Sequence, residues 1–181
     1  MAYTTPPTFG AGTALPASQL NILSDDIEYL YGVAQGVTGS GVQVTRSATT
    51  SIPASTSTAI TFTAEVYDLG GWWSSGTAIT VPSGAVPAGF ASIIVHVEAE
   101  LRFASDATGA RAITIYKNGS AVEPGRRVAA VDGGDSTDFG MSRYVSVVAG
   151  DTLSLRVYQN SGGALDASSI VFSVMRHAPE A

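Results

Sequence analysis

The strongest constraint on the fold is a strict alternation of apolar and mostly polar residues from 93 to 103. Successive side chains of a strand point to opposite faces, so this pattern predicts one long strand with one face in a core. A helix of the same length would scatter these apolar residues around its axis. The residues expected in the core are Ile93, Val95, Val97, Ala99, Leu101 and Phe103, and those expected outside are Ile94, His96, Glu98, Glu100 and Arg102.

Shorter runs of the same kind, separated by turn residues, fill the chain from about residue 42 onward. Asn118-Gly119 is the best hairpin signal, because both residues tolerate the left-handed backbone that a tight two-residue turn needs. Ala149-Gly150-Asp151 predicts a second tight turn. Many short strands with such turns predict a mainly β protein, a jelly-roll sandwich. The other predicted strands cover 42–46, 58–67, 77–81, 112–116, 145–148, 153–157 and 170–175.

Residues 1–16 are too rich in proline for a regular helix, and proline also disfavours strands. Large apolar residues are nevertheless spaced through this segment, which a fully solvated tail would lack. Two interpretations remain open: a disordered terminus, or an extended arm that becomes ordered on a partner. We favour the arm, because apolar side chains on a stiff segment dock at a low entropic cost. The residues that would dock on the partner are then Tyr3, Pro6, Pro7, Phe9 and Leu15.

Residues 17–37 carry the helix signal, with Ser18 as a candidate N-cap just after a proline. Apolar residues recur at spacings of 3 and 4, which is the pattern of a coiled-coil seam. The helix either packs on its own β domain or forms a seam with copies of itself or with a larger particle. The seam residues would be Leu20, Leu23, Ile27, Leu30 and Ala34. The glycine-containing residues 38–41 then form a hinge, 42–177 the jelly-roll domain, and 178–181 a tail.

Charge is scarce in this chain. Charged residues make up 13% of the sequence, about half the fraction usual in a globular domain, which suggests that other subunits cover much of the surface. The net charge is −6, and the nine basic residues are scattered, so nucleic acid is not an expected partner. The apolar stretches are too short and interrupted for a spanning helix, so a membrane is not expected either. Without cysteine, disulfides and thiolate metal sites are excluded.

No catalytic constellation is recognisable, and we expect neither an enzyme nor a cofactor. His96 and His177 lack a serine and aspartate pattern around them and are too few for a metal site. Glu98 and Glu100 share a strand face, whereas catalytic carboxylates usually come from separate elements that flank a cleft. We interpret these four residues as surface or interface side chains.

Two further features leave alternatives open. Asp132, Asp135 and Asp138 surround glycines and are a weak candidate calcium site, although a plain polar loop explains them as well. Trp72 and Trp73 follow two glycines in a predicted loop, and adjacent strand residues point oppositely. Core or interface packing is the simpler role for this pair, and contact with a ligand such as a sugar is the alternative.

Two regions together resemble a known class of proteins. The start of the chain is similar to the N-termini of small bacteriophage virion proteins, on the residues Tyr3 to Phe9 and Leu20 to Ile27. Residues 42–176 resemble the jelly roll of the complement globular-head and TNF-like class as found in phage proteins. The matching segments are Phe103, Ala110-Arg111, Tyr116 to Gly119, Ala149 to Leu153, Val157 to Leu165 and Phe172 to Met175.

This resemblance implies a homotrimer, since that class usually packs three jelly rolls around an axis through one sheet face. It also implies a structural or receptor-facing role without catalysis. The chain has no fibre shaft and no collagen-like repeat, which favours a compact knob on the virion surface over a long tail fibre. We therefore expect a capsid decoration or head-fibre protein whose arm docks on the major capsid protein or another virion protein. The alternatives are a tail or baseplate protein that recognises a host-surface glycan, and a non-viral lectin-like module.

Overall fold

The computed structural model describes residues 40–130 and 135–180, and within these ranges the chain is almost entirely β. These two ranges contain twelve strands and one short 3-10 turn, Ser83–Ala85. No helix in the described ranges is long and apolar enough to cross a membrane. The strands are β1 (Gly41–Arg46), β2 (Thr50–Ile52), β3 (Thr58–Ala59), β4 (Ala64–Leu69), β5 (Ala78–Thr80), β6 (Ser92–Phe103), β7 (Ala110–Lys117), β8 (Ser120–Ala121), β9 (Arg126–Ala129), β10 (Thr137–Val147), β11 (Thr152–Gln159) and β12 (Leu165–Glu180).

The strands form two antiparallel sheets that face each other across one core. Sheet A has the order β10-β6-β12-β1-β4, with β2 paired to β12. Sheet B has the order β3-β11-β7-β8, with β5 also paired to β11 and β9 also paired to β7. Neighbours in each sheet are mostly distant in sequence, so the chain crosses repeatedly between the layers. This arrangement is the predicted jelly-roll sandwich.

Alternation along the long strands builds the core. The six inward residues predicted from 93 to 103 are all at most 3% exposed, which confirms the strand and its orientation. Sheet B supplies the opposing layer through Ile113, Ile115, Leu153 and Leu155, each fully buried. The rings of Phe62 and Phe172 stack with centroids 5.6 Å apart. Burial of each large side chain contributes roughly 1.5–3 kcal/mol, so this core is the main source of stability.

The prediction of one strand over 58–67 was wrong, because the chain changes sheets within that segment. The β3 strand pairs with β11 in sheet B, whereas β4 pairs with β1 in sheet A. The switch lies between the amide of Ile60, which donates to Leu155 of sheet B, and the amide of Thr63, which donates to Thr45 of sheet A. Ile60 and Phe62 stay buried throughout, so the apolar alternation continues while the hydrogen-bonding partners change.

Both predicted tight turns are present. Asn118 and Gly119 have φ of 50° and 79° and join β7 to β8, and Gly150 has φ of 86° between β10 and β11. The strand predicted at 145–148 begins earlier, at Thr137, and the short strands β2, β8 and β9 were not predicted. The β1 strand begins at Gly41, within the predicted hinge, and β12 ends at Glu180, within the predicted tail.

The predicted arm (1–16) and helix (17–37) lie outside the described residues, as does Asp132 of the weak calcium candidate. The docking residues Tyr3, Pro6, Pro7, Phe9 and Leu15 and the seam residues Leu20, Leu23, Ile27, Leu30 and Ala34 therefore remain predictions from sequence.

Candidate interaction surfaces

The outer face of sheet A carries an apolar band that crosses its strands. We call it the aromatic row. The register of the neighbouring strands places its residues side by side across the sheet. From one edge to the other they are Leu69, Gly41, Met175, His96 and Tyr144. Leu69 is 49% exposed and Tyr144 is 62% exposed, which is high for large apolar side chains. Exposed bands of this kind usually mark contact surfaces.

The two histidines of the protein meet on one tyrosine at the end of the aromatic row. The ring centroids of His96 and His177 lie 5.0 Å and 4.9 Å from the centroid of Tyr144, at interplanar angles of 44° and 54°. We call these three residues the His–Tyr stack. Sequence reasoning treated the two histidines as unrelated, because only the register between β6, β10 and β12 brings them together. The three rings thus form one aromatic cluster at the most exposed end of the row.

Glu98 and Glu100 are exposed on the same face, next to the aromatic row. Within the described ranges neither carboxylate forms an ion pair. Glu98 faces Ser173 and Ser142 across the neighbouring strands, and Glu100 faces the notch left by Gly140. Burial and the nearby Glu98 carboxylate raise the pKa of Tyr67, whose hydroxyl donates to the sulfur of Met175 at 3.1 Å. Glu98 and Glu100 together line a small surface pocket of about 110 Å³, whose other walls are Gln43, Val171 and Ser173.

The weak calcium candidate does not gather its ligands in the described part of the chain. The Asp138 carboxylate accepts two hydrogen bonds from the Arg102 guanidinium, at 2.6 Å and 2.9 Å. These bonds lower the pKa of Asp138, and they occupy the oxygens that a cation would need. Asp135 is exposed, and among the described residues no three acidic or histidine side chains form a metal-binding group. Asp138 is thus an ion-pair residue, which argues against its proposed role as a calcium ligand.

The tryptophan pair divides between core and surface. Trp72 is 1% exposed, and its indole nitrogen donates to Ser40 at 3.1 Å, so its ring has no free face. Trp72 thus lies in the core of this structure, and ligand contact by the tryptophan pair stays a prediction. Trp73 is partly buried and packs against the core cluster. The Asp68 carboxylate accepts the backbone amides of both tryptophans at 2.9 Å, which fixes the loop that presents them.

Sheet B has an outer face of a different chemistry. Its described strands contain no Asp or Glu, whereas Arg127 and Arg156 lie on its outer side. The Arg156 guanidinium sits over the ring of Tyr116, 4.6 Å from the centroid. Tyr158 lies two residues after Arg156 on β11, opposite Ala112 of β7. Sequence reasoning missed this surface, because the four residues come from three strands whose register the sequence does not reveal.

Two solved structures have the same arrangement of sheets. One is murine APRIL at pH 8.5, with 14% identity and a TM-score of 0.56, covering 77% of this chain and 100% of that chain. The other is the globular domain of zebrafish complement 1qA, with 11% identity and a TM-score of 0.54, covering 78% of this chain and 99% of that chain. The fold is the jelly roll of TNF-like and C1q-like domains. At these identities the likeness establishes the fold alone.

By sequence, no family model matches the chain and no curated protein matches it. The TNF-like and C1q-like fold predicted from the resemblance is thus confirmed by structure. The phage part of that resemblance is not addressed by either structural neighbour.

Proposed function

We propose that the chain is a non-enzymatic homotrimeric structural module of a bacteriophage virion. In this proposal three TNF-like jelly rolls pack through the outer face of sheet A, and the N-terminal arms dock the trimer on the capsid exterior. The observation that carries the trimer is the aromatic row on that face. Tyr144 and Leu69 are exposed at the two ends of this row, and apolar side chains that form a continuous row on one face are the kind of patch that marks a contact surface.

The outer face of sheet A also has the shape that such a seam needs. It is formed by the long strands β6, β10 and β12, and the aromatic row crosses it near the middle of β6. Interface centres are typically apolar and aromatic, with charge toward the rim. The His–Tyr stack supplies aromatic contact area at the β10 edge of this face, and Glu98 and Glu100 lie beside it as polar border.

The proposed attachment to the particle rests on the sequence of residues 1–16. Tyr3, Phe9 and Leu15 are large apolar side chains on a segment whose prolines prevent it from building a core of its own. Each anchor contributes roughly 1.5–3 kcal/mol when buried in a partner. Three arms per trimer would multiply this through avidity, provided that all three reach their sites together.

A particle-binding experiment tests this function. Particles that lack the protein are mixed with wild type, with a Tyr3→Ala/Phe9→Ala variant, or with a matched Ser47→Ala/Thr49→Ala variant in the loop after β1. After repurification, occupancy is measured by gel densitometry, and immunogold labelling shows head or tail. We expect the arm variant to fall to less than a tenth of wild-type occupancy, with label on the head and the control unchanged.

Other outcomes would replace the proposal with its alternatives. Label on the tail or baseplate would support a receptor-binding protein for a host-surface glycan. Failure of wild type to bind any particle would contradict the virion role and leave a non-viral lectin-like module.

A further inference from the structure

Acidic residues are divided unequally between the two sheets. The strands of sheet B contain none within the described ranges, although they contribute Arg127 and Arg156 to the outer surface. The strands of sheet A contain Glu65, Asp68, Glu98, Glu100, Asp138, Asp166 and Glu180. In a chain of net charge −6, strands that lack Asp and Glu but keep two outward arginines need an explanation, although Glu123 is exposed in the loop just before β9.

Strand register gives this face the form of a shallow trough along β7. Ala112 lies opposite Tyr158 on β11 and opposite Arg127 on β9, so these two long side chains flank a small one. Thr114, two residues further along, lies opposite Arg156. Neighbouring strands are about 4.8 Å apart, so the backbones of β9 and β11, which carry these side chains, stand about 10 Å apart. A sugar chain that follows β7 would lie over Ala112 and Thr114.

The two cations of the trough are not neutralised within the described residues. Neither Arg127 nor Arg156 forms an ion pair there. Arg156 instead has its guanidinium carbon over the Tyr116 ring, 4.6 Å from the centroid, and this cation–π contact leaves the positive charge unneutralised. A planar guanidinium presents donors in the fork geometry that a carboxylate accepts in two parallel hydrogen bonds. The trough therefore combines two guanidinium groups that can bind carboxylates with the aromatic rings of Tyr116 and Tyr158.

We propose that the outer face of sheet B binds an acidic polysaccharide whose pyranose rings carry carboxylates. The C–H face of one sugar packs on Tyr158, and carboxylates on the chain accept hydrogen bonds from Arg127 and Arg156. Duplex nucleic acid carries one negative charge per about 1.7 Å of its axis and calls for a denser basic patch than Arg127 and Arg156, which lie on two strands separated by β7. A uronic acid polymer, with one carboxylate per sugar, suits this sparse spacing better.

Binding by one subunit does not depend on the proposed trimer, but the display of three troughs does. If three copies pack through sheet A, their sheet B faces point away from the axis. The proposal thus adds a ligand class to the virion role and replaces the tryptophan pair as the ligand contact.

The test is a titration of the full chain with an oligogalacturonate, in which calorimetry and NMR chemical shifts measure binding. A neutral galactan oligomer of equal length is titrated for comparison. We expect binding of the acidic oligomer only, weakened at least tenfold when the ionic strength rises from about 0.02 M to about 0.2 M. The variant Arg127→Gln/Arg156→Gln should raise the dissociation constant at least tenfold. Tyr158→Leu should raise it severalfold without changing its salt dependence.

Arg126→Gln is the matched control, because Arg126 is next to Arg127 but directs its guanidinium to the carbonyl of Gly140 at 2.7 Å. It removes one charge from the same strand and should leave binding unchanged. Equal affinity of wild type and the Arg127 and Arg156 double variant would overturn the inference, as would equal binding of the neutral oligomer. Tighter binding of an oligothymidylate than of the uronate would overturn it in favour of nucleic acid. Sedimentation of the same samples separates this proposal from the proposed trimer. If wild type sediments as a trimer but does not bind the uronate, only the polysaccharide proposal is overturned.

Discussion

Asp151 shows how a single side chain holds one end of the sandwich. It is 7% exposed, and its carboxylate accepts hydrogen bonds from the Val148 amide, the Asn118 side-chain amide and the Lys117 ammonium at 2.6–2.9 Å. Asn118 in turn accepts from the amide of Thr152. One carboxylate therefore links the β7–β8 hairpin of sheet B to the turn between β10 and β11.

Asp151→Asn should destabilise the domain at neutral pH and should do so less as the pH falls. Burial raises the pKa of Asp151, but the hydrogen bonds from Val148, Asn118 and Lys117 outweigh it and lower that pKa overall. The carboxylate's contribution is present above the unfolded value of about 3.9 and is lost as pH falls through the lower folded value. We expect a loss of about 1–3 kcal/mol at pH 7 from urea unfolding at fixed protein concentration.

Asp135→Asn is the control for this change, since it makes the same charge change at an exposed position. Its free energy of unfolding should stay within about 0.5 kcal/mol of wild type. A loss for Asp151→Asn that is the same at pH 2 and pH 7 would contradict the assigned role of the carboxylate.

At the scale of elements, β10 illustrates how tightly an edge strand can be set against its neighbour. Gly140 lies opposite Glu100, and a β-carbon placed at Gly140 would come within 2.8 Å of the carbonyl oxygen of Ala99. Backbone cannot move aside as a flexible side chain can. The β10–β6 pairing thus requires glycine for space rather than for backbone conformation.

Gly140→Ala should therefore separate β10 from β6 locally and lower the free energy of unfolding by about 1–3 kcal/mol. Urea denaturation measures the change. Ser142→Ala, two residues along the same face of the same strand, should cost less than about 0.5 kcal/mol. Equal effects of the two substitutions would show that β10 tolerates a β-carbon at Gly140.

What the sequence predicted well were elements whose signal is local. The strand from 93 to 103 and the Asn118-Gly119 turn each depend on one period or one dipeptide, and both are present. The change of sheet at 60–63 was missed because Ile60 and Phe62 keep the apolar alternation of a single strand while the hydrogen-bonding partner changes. The His–Tyr stack and the sheet B trough were missed because they depend on pairing between strands distant in sequence.

For the whole molecule, the proposed trimer makes the aromatic row a buried seam. Tyr144→Glu would place three carboxylates in that seam and remove the ring on which both histidines pack. Burying an unpaired charge costs several kcal/mol, so we expect this variant to remain monomeric at micromolar concentration. Sedimentation equilibrium should give wild type three times the monomer mass of 18.5 kDa.

Ser154→Glu introduces the same charge on the outer face of sheet B and should leave the trimer intact, with a similar melting temperature. A wild type that sediments as a monomer across the micromolar range would contradict a stable trimer seam. Dissociation by Ser154→Glu instead of Tyr144→Glu would move the seam to sheet B.

The unequal division of acidic residues between the sheets also gives the domain an electric dipole. With a net charge of −6, the protein as a whole is repelled by an anionic envelope. The same field exerts a torque that turns the acid-free sheet toward the envelope before contact. Such orientation raises the fraction of productive encounters, and it fades beyond a screening length of about 10 Å at 0.1 M salt. The arrangement of charge would thus act on the rate of approach as well as on the strength of binding.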